Sequence, residues 1–137
     1  MSRVVQFAEY GTPEVLRVVD AEPPVPGPTQ VRIAVRAAGV NPIDWKILSG
    51  QMRQLFPVDL PAGVGSDVAG VVDAVGSAVT EWAVGDEVLG RSMTGSFADY
   101  ALAESDEIVR KPAGVAWEVA GSLAGADLVR RNGREQL

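Results

Sequence analysis

The sequence of 137 residues contains no cysteine and no histidine. A disulfide, a redox-active thiol and a tetrahedral zinc site built from cysteine and histidine are therefore excluded. The same two absences exclude Ser–His and Cys–His nucleophilic pairs and any acid–base step by histidine. An enzyme built on this sequence must work without all of these groups.

Long apolar runs and an excess of positive charge are also absent. The longest uninterrupted apolar run is only a few residues, which predicts no membrane-spanning segment, and the first residues do not resemble a secretory signal. Twelve basic residues stand against 18 acidic ones, which gives a net charge of −6. This balance argues against sequence-independent nucleic-acid binding. We expect a cytoplasmic domain with no nucleic-acid or membrane partner.

Fifteen glycines and nine prolines divide the chain into short segments, which favours strands and turns over long helices. The length is that of one ordinary domain. Many short strands with glycine-rich corners predict a small barrel or sandwich. The predicted strands are 4–8, 15–20, 31–37, 68–75, 87–89, 97–103 and 107–110.

Two helices are predicted between these strands. The first covers 42–49: Asn41 can cap it, Asp44 lies in its positive first turn, and Gly50 can end it. The second begins near residue 116 and extends to about residue 131.

Four segments of the chain, taken together, point to one protein family. They are YGTPEVLRV (10–18), PGPTQVRIAVRAAGVNPIDWKILSG (26–50), AGVGSDVAGVVDAVGSAVTEWAVGDEVLG (62–90) and GSFADYALAESDEIVRKP (95–112). In order and spacing they resemble the N-terminal domain of medium-chain dehydrogenases/reductases, in the zinc-independent, NADPH-dependent quinone oxidoreductase branch of the zeta-crystallin type. The resemblance implies that residues 1–123 form a GroES-like domain, mainly β, with a partly open β-barrel and a few short helices.

The resemblance also bears on metal binding. Zinc-dependent members of the wider family have a cysteine ligand where this chain has Asn41 and a histidine ligand where it has Ser66. Those members also carry a lobe with four structural cysteines. At the matching place this chain has only the six residues 91–96, none of which is cysteine. None of these positions offers the ligand type that zinc requires, so we expect no zinc or other metal.

Family chains continue beyond the second helix into a complete dinucleotide-binding domain. Residues 124–137 no longer follow the family pattern, and we expect the nucleotide-binding (Rossmann) domain to be absent. NADPH, the cofactor of the full-length family, would then not be bound by this chain alone. The region 117–129 would lose its usual covering, and we expect a homodimer through it.

Asn41 is the catalytic candidate that the resemblance implies. The matching asparagine of relatives faces the cleft, where its amide could donate a hydrogen bond to a quinone or enone oxygen as hydride arrives. The alternative is that Asn41 only caps the helix; both roles can coexist.

Five further residues are candidates for the substrate or cofactor cleft, each with a structural alternative. Asp44 and Lys46 could face the ligand or lie on the surface of a helix. Trp45 could stack on a flat quinone or anchor the packing of the helix. Ser66 and Asp67 could form hydrogen bonds within the cleft or stabilise a turn.

The function that this interpretation implies is the substrate side of an NADPH-dependent quinone or enone oxidoreductase. Hydride passes to a conjugated acceptor and a proton can come from water, which suits a chain without histidine or cysteine. The alternative is a stand-alone GroES-like binding or interaction domain, a truncated pseudo-enzyme without redox activity. A co-chaperonin is suggested by the fold alone and is discounted, because a fold does not fix function.

Overall fold

The computed structural model describes residues 2–55 and 57–122. Within them the chain forms eight strands, two α-helices and a short 3₁₀ helix at Pro13–Val15. Neither described helix is long and apolar enough to cross a membrane. The strands are β1 Ser2–Phe7, β2 Leu16–Ala21, β3 Gln30–Ala38, β4 Ala62–Gly63, β5 Asp67–Val75, β6 Glu87–Arg91, β7 Tyr100–Glu104 and β8 Ile108–Arg110. Helix α1 is Pro42–Ser49, and helix α2 is described over 117–122.

The strands form two antiparallel sheets. The smaller sheet has the order β2-β1-β4 and the larger has the order β7-β3-β5-β6-β8. Residues 97–99 connect them: the backbone N–H of Asp99 donates to the carbonyl of Arg3 in β1, and the Asp99 carbonyl accepts from Val35 in β3, both at 2.9 Å. The sheets meet along this segment without closing into a barrel in the described part of the chain. The mainly β, partly open fold predicted from the sequence is confirmed.

Strand β3 shows why the predicted alternation produces a buried sheet. Val31 and Ile33 are fully buried on one face, as the period of two predicts. The pairing with β5 shifts register after Val35, opposite Gly70. A side chain at Gly70 would collide with the carbonyl oxygen of Ala34. Gly70 thus marks the tight bend that an isolated strand glycine predicts.

Three apolar clusters hold the fold together. The largest fills one face of the five-stranded sheet, and its fully buried members are Val31, Ile33, Val68, Val72, Val88, Ala101, Ala103 and Ile108. A second, centred on Leu89, packs between that sheet and α2. A third lies beneath α1 and consists of Phe7, Leu48 and Val64 with half-buried neighbours. The two helices therefore cover different parts of the sheets and leave a space between them.

The strand predicted over 97–103 begins only at Tyr100. Phe97 and Ala98 belong to the smaller sheet instead: the N–H of Val5 donates to the Phe97 carbonyl at 2.9 Å, and Ala98 bridges to Val4. The stretch 97–103 therefore pairs first with β1 of the smaller sheet and then with β3 of the larger sheet. The prediction of a single continuous strand is wrong.

Helix α2 begins at residue 117, one residue from its predicted start. Ala120 is fully buried against the large sheet and Trp117 is half-buried beside it. The prediction that these two side chains lack a cover is wrong, because the domain's own sheet covers them. Val119 is 49% exposed, as predicted. Leu123, Leu128 and Val129, which belong to the same predicted uncovered region 117–129, lie outside the described residues, as does the predicted tail 124–137.

Candidate functional site

A cavity of about 900 Å³ lies between α1, the segment 63–67 and the end of β6. That volume is typical of sites for small organic molecules. Its wall is mainly apolar, with a few polar groups. The lining residues are Phe7, Asn41, Pro42, Ile43, Asp44, Ile47, Val58, Gly63, Val64, Gly65, Ser66, Asp67, Arg91, Met93, Gly95 and Ser122. A second hollow of about 290 Å³ beside β1 contains none of the predicted site residues.

Asn41 reaches the cavity because of the way α1 begins. It occupies the N-cap position in extended conformation, Pro42 follows as the first helical residue, and Gly50 ends the helix with a left-handed φ of 84°. These three positions agree with the sequence prediction. The loop from β3 thus delivers the Asn41 side chain to the cavity wall at the point where the helix starts.

The side chain of Asn41 is hydrogen-bonded to Asp67. Its Nδ2 donates to Asp67 Oδ2 at 2.8 Å. Asp67 is the first residue of β5 and is 6% exposed. Its carbonyl accepts a hydrogen bond from the N–H of Gly39 at 3.0 Å. Asp67 therefore lies at the start of a strand and accepts hydrogen bonds from two residues of the β3–α1 loop. The alternative interpretation, in which it stabilises a local turn, would have placed it in a turn.

Asp44 is also buried, at 6% exposed. Its Oδ2 accepts a hydrogen bond from the backbone N–H of Asn41 at 2.9 Å, which ties the first turn of α1 to its cap. Burial raises the pKa of Asp44, the hydrogen bond from Asn41 opposes that rise, and the nearby carboxylate of Asp67 adds to it. The alternative of a surface position is wrong for Asp44, because the third residue of the helix turns toward the cavity.

Ser66 lines the same cavity, and its carbonyl accepts a hydrogen bond from the N–H of Ser92 at 2.7 Å. The structure thus brings Ser66 and Asn41, the two positions at which the resemblance places zinc ligands in other members, to one wall. Within the described residues, no three acidic side chains come together as a candidate metal site.

Trp45 and Lys46 do not line the cavity. Both are exposed on the outer side of α1, and Trp45 is 38% accessible to solvent. Trp45 also belongs to none of the apolar clusters, so the structure places it neither at the cavity wall nor in the core. Residues that follow each other in a helix point about 100° apart, and Asp44 takes the inward direction.

Arg91 and Met93 line the cavity although neither was a candidate from sequence. Arg91 pairs with Asp67 in the β5–β6 register. Arg91 could have been identified by assuming that 67–75 and 87–91 pair as an antiparallel hairpin. That pairing places the end of β6 beside the start of β5, and therefore Arg91 beside Asp67. Met93 follows in a loop, where no periodicity predicts its direction.

The chain's family is shown by comparison with known proteins. Residues 27–113 match the model of the alcohol dehydrogenase GroES-like domain, so the chain belongs to that family. The predicted quinone oxidoreductase branch of the medium-chain dehydrogenases/reductases is confirmed by similarity to several relatives. A quinone oxidoreductase of Pseudomonas aeruginosa is 41% identical over 125 residues, which are 90% of this chain and 37% of the relative. The human quinone oxidoreductase is 41% identical over 114 residues, 82% of this chain and 34% of the relative.

Solved structures give the same result. The quinone oxidoreductase of Coxiella burnetii superposes with a TM-score of 0.85 at 32% identity, over 98% of this chain and 44% of that one. The Escherichia coli quinone oxidoreductase complexed with NADPH gives a TM-score of 0.80 at 33% identity, over 88% of this chain and 36% of that one. The chain therefore spans well under half the length of the proteins it matches.

Proposed function

We propose that this chain is the substrate-side domain of an NADPH-dependent quinone or enone oxidoreductase, which transfers hydride to a conjugated carbonyl acceptor. The observation that carries the proposal is the Asn41 amide, held by Asp67 in the wall of a largely apolar cavity. A flat ring with a carbonyl oxygen matches such a wall, because the ring packs on apolar side chains and the oxygen accepts one hydrogen bond. The quinone oxidoreductases among the relatives support this substrate class.

The cavity residues fit the nicotinamide ring of NADPH but not its phosphates. Phosphate binding favours backbone N–H groups at a glycine-rich turn that opens a helix. In the described residues the Gly63-Val64-Gly65 turn leads into strand β5, and the buried charges at the cavity are the carboxylates of Asp44 and Asp67. The apolar wall would hold the ring. When bound, NADPH supplies a hydride, which carries two electrons to the acceptor, and water supplies the proton that completes the reduction.

The chain's own residues would orient the acceptor and stabilise the charge that develops on it. One Nδ2 hydrogen of Asn41 is used by Asp67, and we assign the other to the acceptor's carbonyl oxygen. That oxygen becomes more negative as hydride arrives, so the hydrogen bond strengthens in the transition state. Apolar side chains around it, such as Ile43, Ile47 and Val58, exclude water and increase this effect.

We expect Asn41→Ala to lower quinone reduction. The assay is a chimera in which this chain replaces the aligned part of the Pseudomonas aeruginosa quinone oxidoreductase, since the two are 41% identical over that stretch. Loss of one donor to a developing oxyanion should lower kcat/KM by about tenfold or more. Asp106→Ala, at an exposed position in the loop before β8, is the matched control.

An Asn41→Ala chimera as active as the unmodified chimera would refute the role of Asn41. The alternative function is a binding domain without redox activity. It predicts that the isolated chain binds a quinone while the chimera stays inactive. Cytoplasmic location, the homodimer through 117–129, and the absence of bound zinc and of nucleic-acid or membrane partners stay predictions.

A further inference from the structure

We propose that Asp67 is a positioning residue that fixes the orientation of the Asn41 amide, so that the cavity presents a hydrogen-bond donor. The cavity would then select ligands with an acceptor atom, such as a carbonyl oxygen. The choice of ligand class rests on the proposed function, whereas the orientation of the amide rests on the structure of the chain alone.

The chemistry of the pair decides which end of the amide faces Asp67. The oxygen and nitrogen of an asparagine amide are similar in shape, and hydrogen bonding must distinguish them. An ionised carboxylate only accepts hydrogen bonds. With Asp67 Oδ2 2.8 Å away, the amide nitrogen must face the carboxylate. Since that nitrogen carries two hydrogens, one remains after Asp67 is satisfied.

Asp67 itself is held firmly enough to impose this orientation. It is the first residue of β5, paired with Arg91 of β6. Its carbonyl accepts the N–H of Gly39, two residues before Asn41, so the same residue holds both the backbone and the side chain of the loop. On the other side, Asp44 accepts the backbone N–H of Asn41. Asn41 is thus held by two carboxylates from different elements.

Gly39 makes this approach possible. A Cβ at Gly39 would lie 3.0 Å from the Cβ of Asp67 and 2.8 Å from the carbonyl oxygen of Gly121 in α2. The 2.8 Å contact with the backbone oxygen is shorter than real Cβ atoms make, and the 3.0 Å contact is unusually tight, so a larger residue would force the loop to move away. The site depends on a glycine two positions before the asparagine that it presents.

The orientation can be tested by NMR of the ¹⁵N-labelled 137-residue chain. The two side-chain amide signals of Asn41 are assigned by their loss in Asn41→Asp. A charge-assisted hydrogen bond should shift one amide proton and slow its exchange. We expect Asp67→Leu to remove both effects and Asp67→Asn to keep them in part, because an amide oxygen still accepts. Asp106→Asn, at an exposed position, is the control and should leave the signals unchanged.

Ligand selection is tested with two probes of one shape. Tetramethyl-1,4-benzoquinone carries two carbonyl oxygens, and 1,2,4,5-tetramethylbenzene carries none. We expect Asp67→Leu to weaken binding of the quinone by about threefold to tenfold, the usual effect of one hydrogen bond, and not to weaken binding of the hydrocarbon. An equal loss for both probes would reveal a structural role only and would overturn the proposal.

Asn41 amide signals that are unaffected by Asp67→Leu and Asp67→Asn would also overturn it. If Asp67→Leu does not fold, the isosteric Asp67→Asn tests the proposal instead. This variant keeps a weaker hydrogen bond, so its Asn41 amide signals should shift part of the way toward those of a free amide. Its quinone affinity should be lower than that of the unmodified chain. If no variant binds the quinone, the proposed function fails, while the amide signals still decide whether Asp67 orients Asn41.

Discussion

At the scale of single residues, Asp44 has the most unusual environment among the acidic side chains of the site. Its carboxyl is 6% exposed and accepts a hydrogen bond from its own helix cap. Burial raises its pKa above the ordinary value of 3.8, and Asp67 adds to the rise. The folded state therefore binds a proton at Asp44 more tightly than the unfolded state does.

This shift predicts how the stability of the fold depends on pH. The contribution of Asp44 is fully present below pH 3.8 and is lost as pH rises through the raised pKa of the folded state. Asp44→Asn cannot titrate. We therefore expect the free energy of unfolding of the natural chain, relative to that of Asp44→Asn, to fall as pH rises above 3.8 and through the raised pKa of the folded state.

Urea unfolding at several pH values measures this difference. Asp106→Asn, at an exposed position, is the control for the removal of a carboxylate outside the site. If the stability of the natural chain relative to Asp44→Asn instead rises with pH, the folded state stabilises the ionised form of Asp44, and the prediction is wrong.

Four of the six predicted site residues meet at the cavity, two of them placed by local rules and two, Ser66 and Asp67, named from the family resemblance. Asn41 and Asp44 take the cap and third position of a helix whose start was readable from Pro42. Trp45 was a candidate on residue type alone, and residue type does not determine which side of a helix faces a cavity. The Asn41–Asp67 hydrogen bond joins residues 26 positions apart, and no local pattern in the sequence predicts it.

At the scale of elements, the start of α2 is anchored by Lys111. Its ammonium donates to the carbonyl of Val115 at 2.7 Å and lies 4.9 Å from the ring centre of Trp117. It is also 3.4 Å from a carboxylate oxygen of Glu87 in β6, and only 7% of its side chain is exposed. One side chain therefore links the loop before α2, the helix itself and the large sheet.

We expect Lys111→Met to destabilise the fold by about 1–3 kcal/mol. Methionine keeps the apolar stem but leaves the partly buried carbonyl of Val115 without this donor. It also removes the attraction to the Trp117 ring. Arg36→Met, at an exposed position on β3, is the control and should cost little. Chemical denaturation measures both, and equal midpoints for the two variants would contradict the anchoring role.

Most elements were predictable because each carries its own periodicity or end signals. The prediction failed for 97–103, where a single apolar stretch changes partners between Phe97 and Tyr100. That change is imposed by β1 and β3, which lie far away in sequence. Local alternation identifies a strand but does not say which neighbour it pairs with.

At the scale of the whole molecule, the described residues form a cavity of about 900 Å³ but no glycine-rich turn that opens a helix. We therefore expect the purified 137-residue chain not to bind NADPH at micromolar concentrations, because its described residues offer no turn that could hold the phosphates.

Titration calorimetry tests this expectation. The Escherichia coli quinone oxidoreductase, which has been crystallised with NADPH, serves as the positive control. A single site of micromolar affinity on this chain would contradict the prediction and would require phosphate contacts outside those described.

The segment 97–99, shared by both sheets, has a consequence for the order in which the fold forms. The carbonyl of Arg3 in β1 accepts its hydrogen bond from Asp99, 96 positions further along the chain. Before this contact forms, the side of β1 opposite β2 is paired only at Gln6 and Phe7, by β4. Contacts this distant in sequence are slow to form. A partly folded chain therefore exposes an unpaired stretch of strand edge at β1, and that edge is where association with other chains would begin.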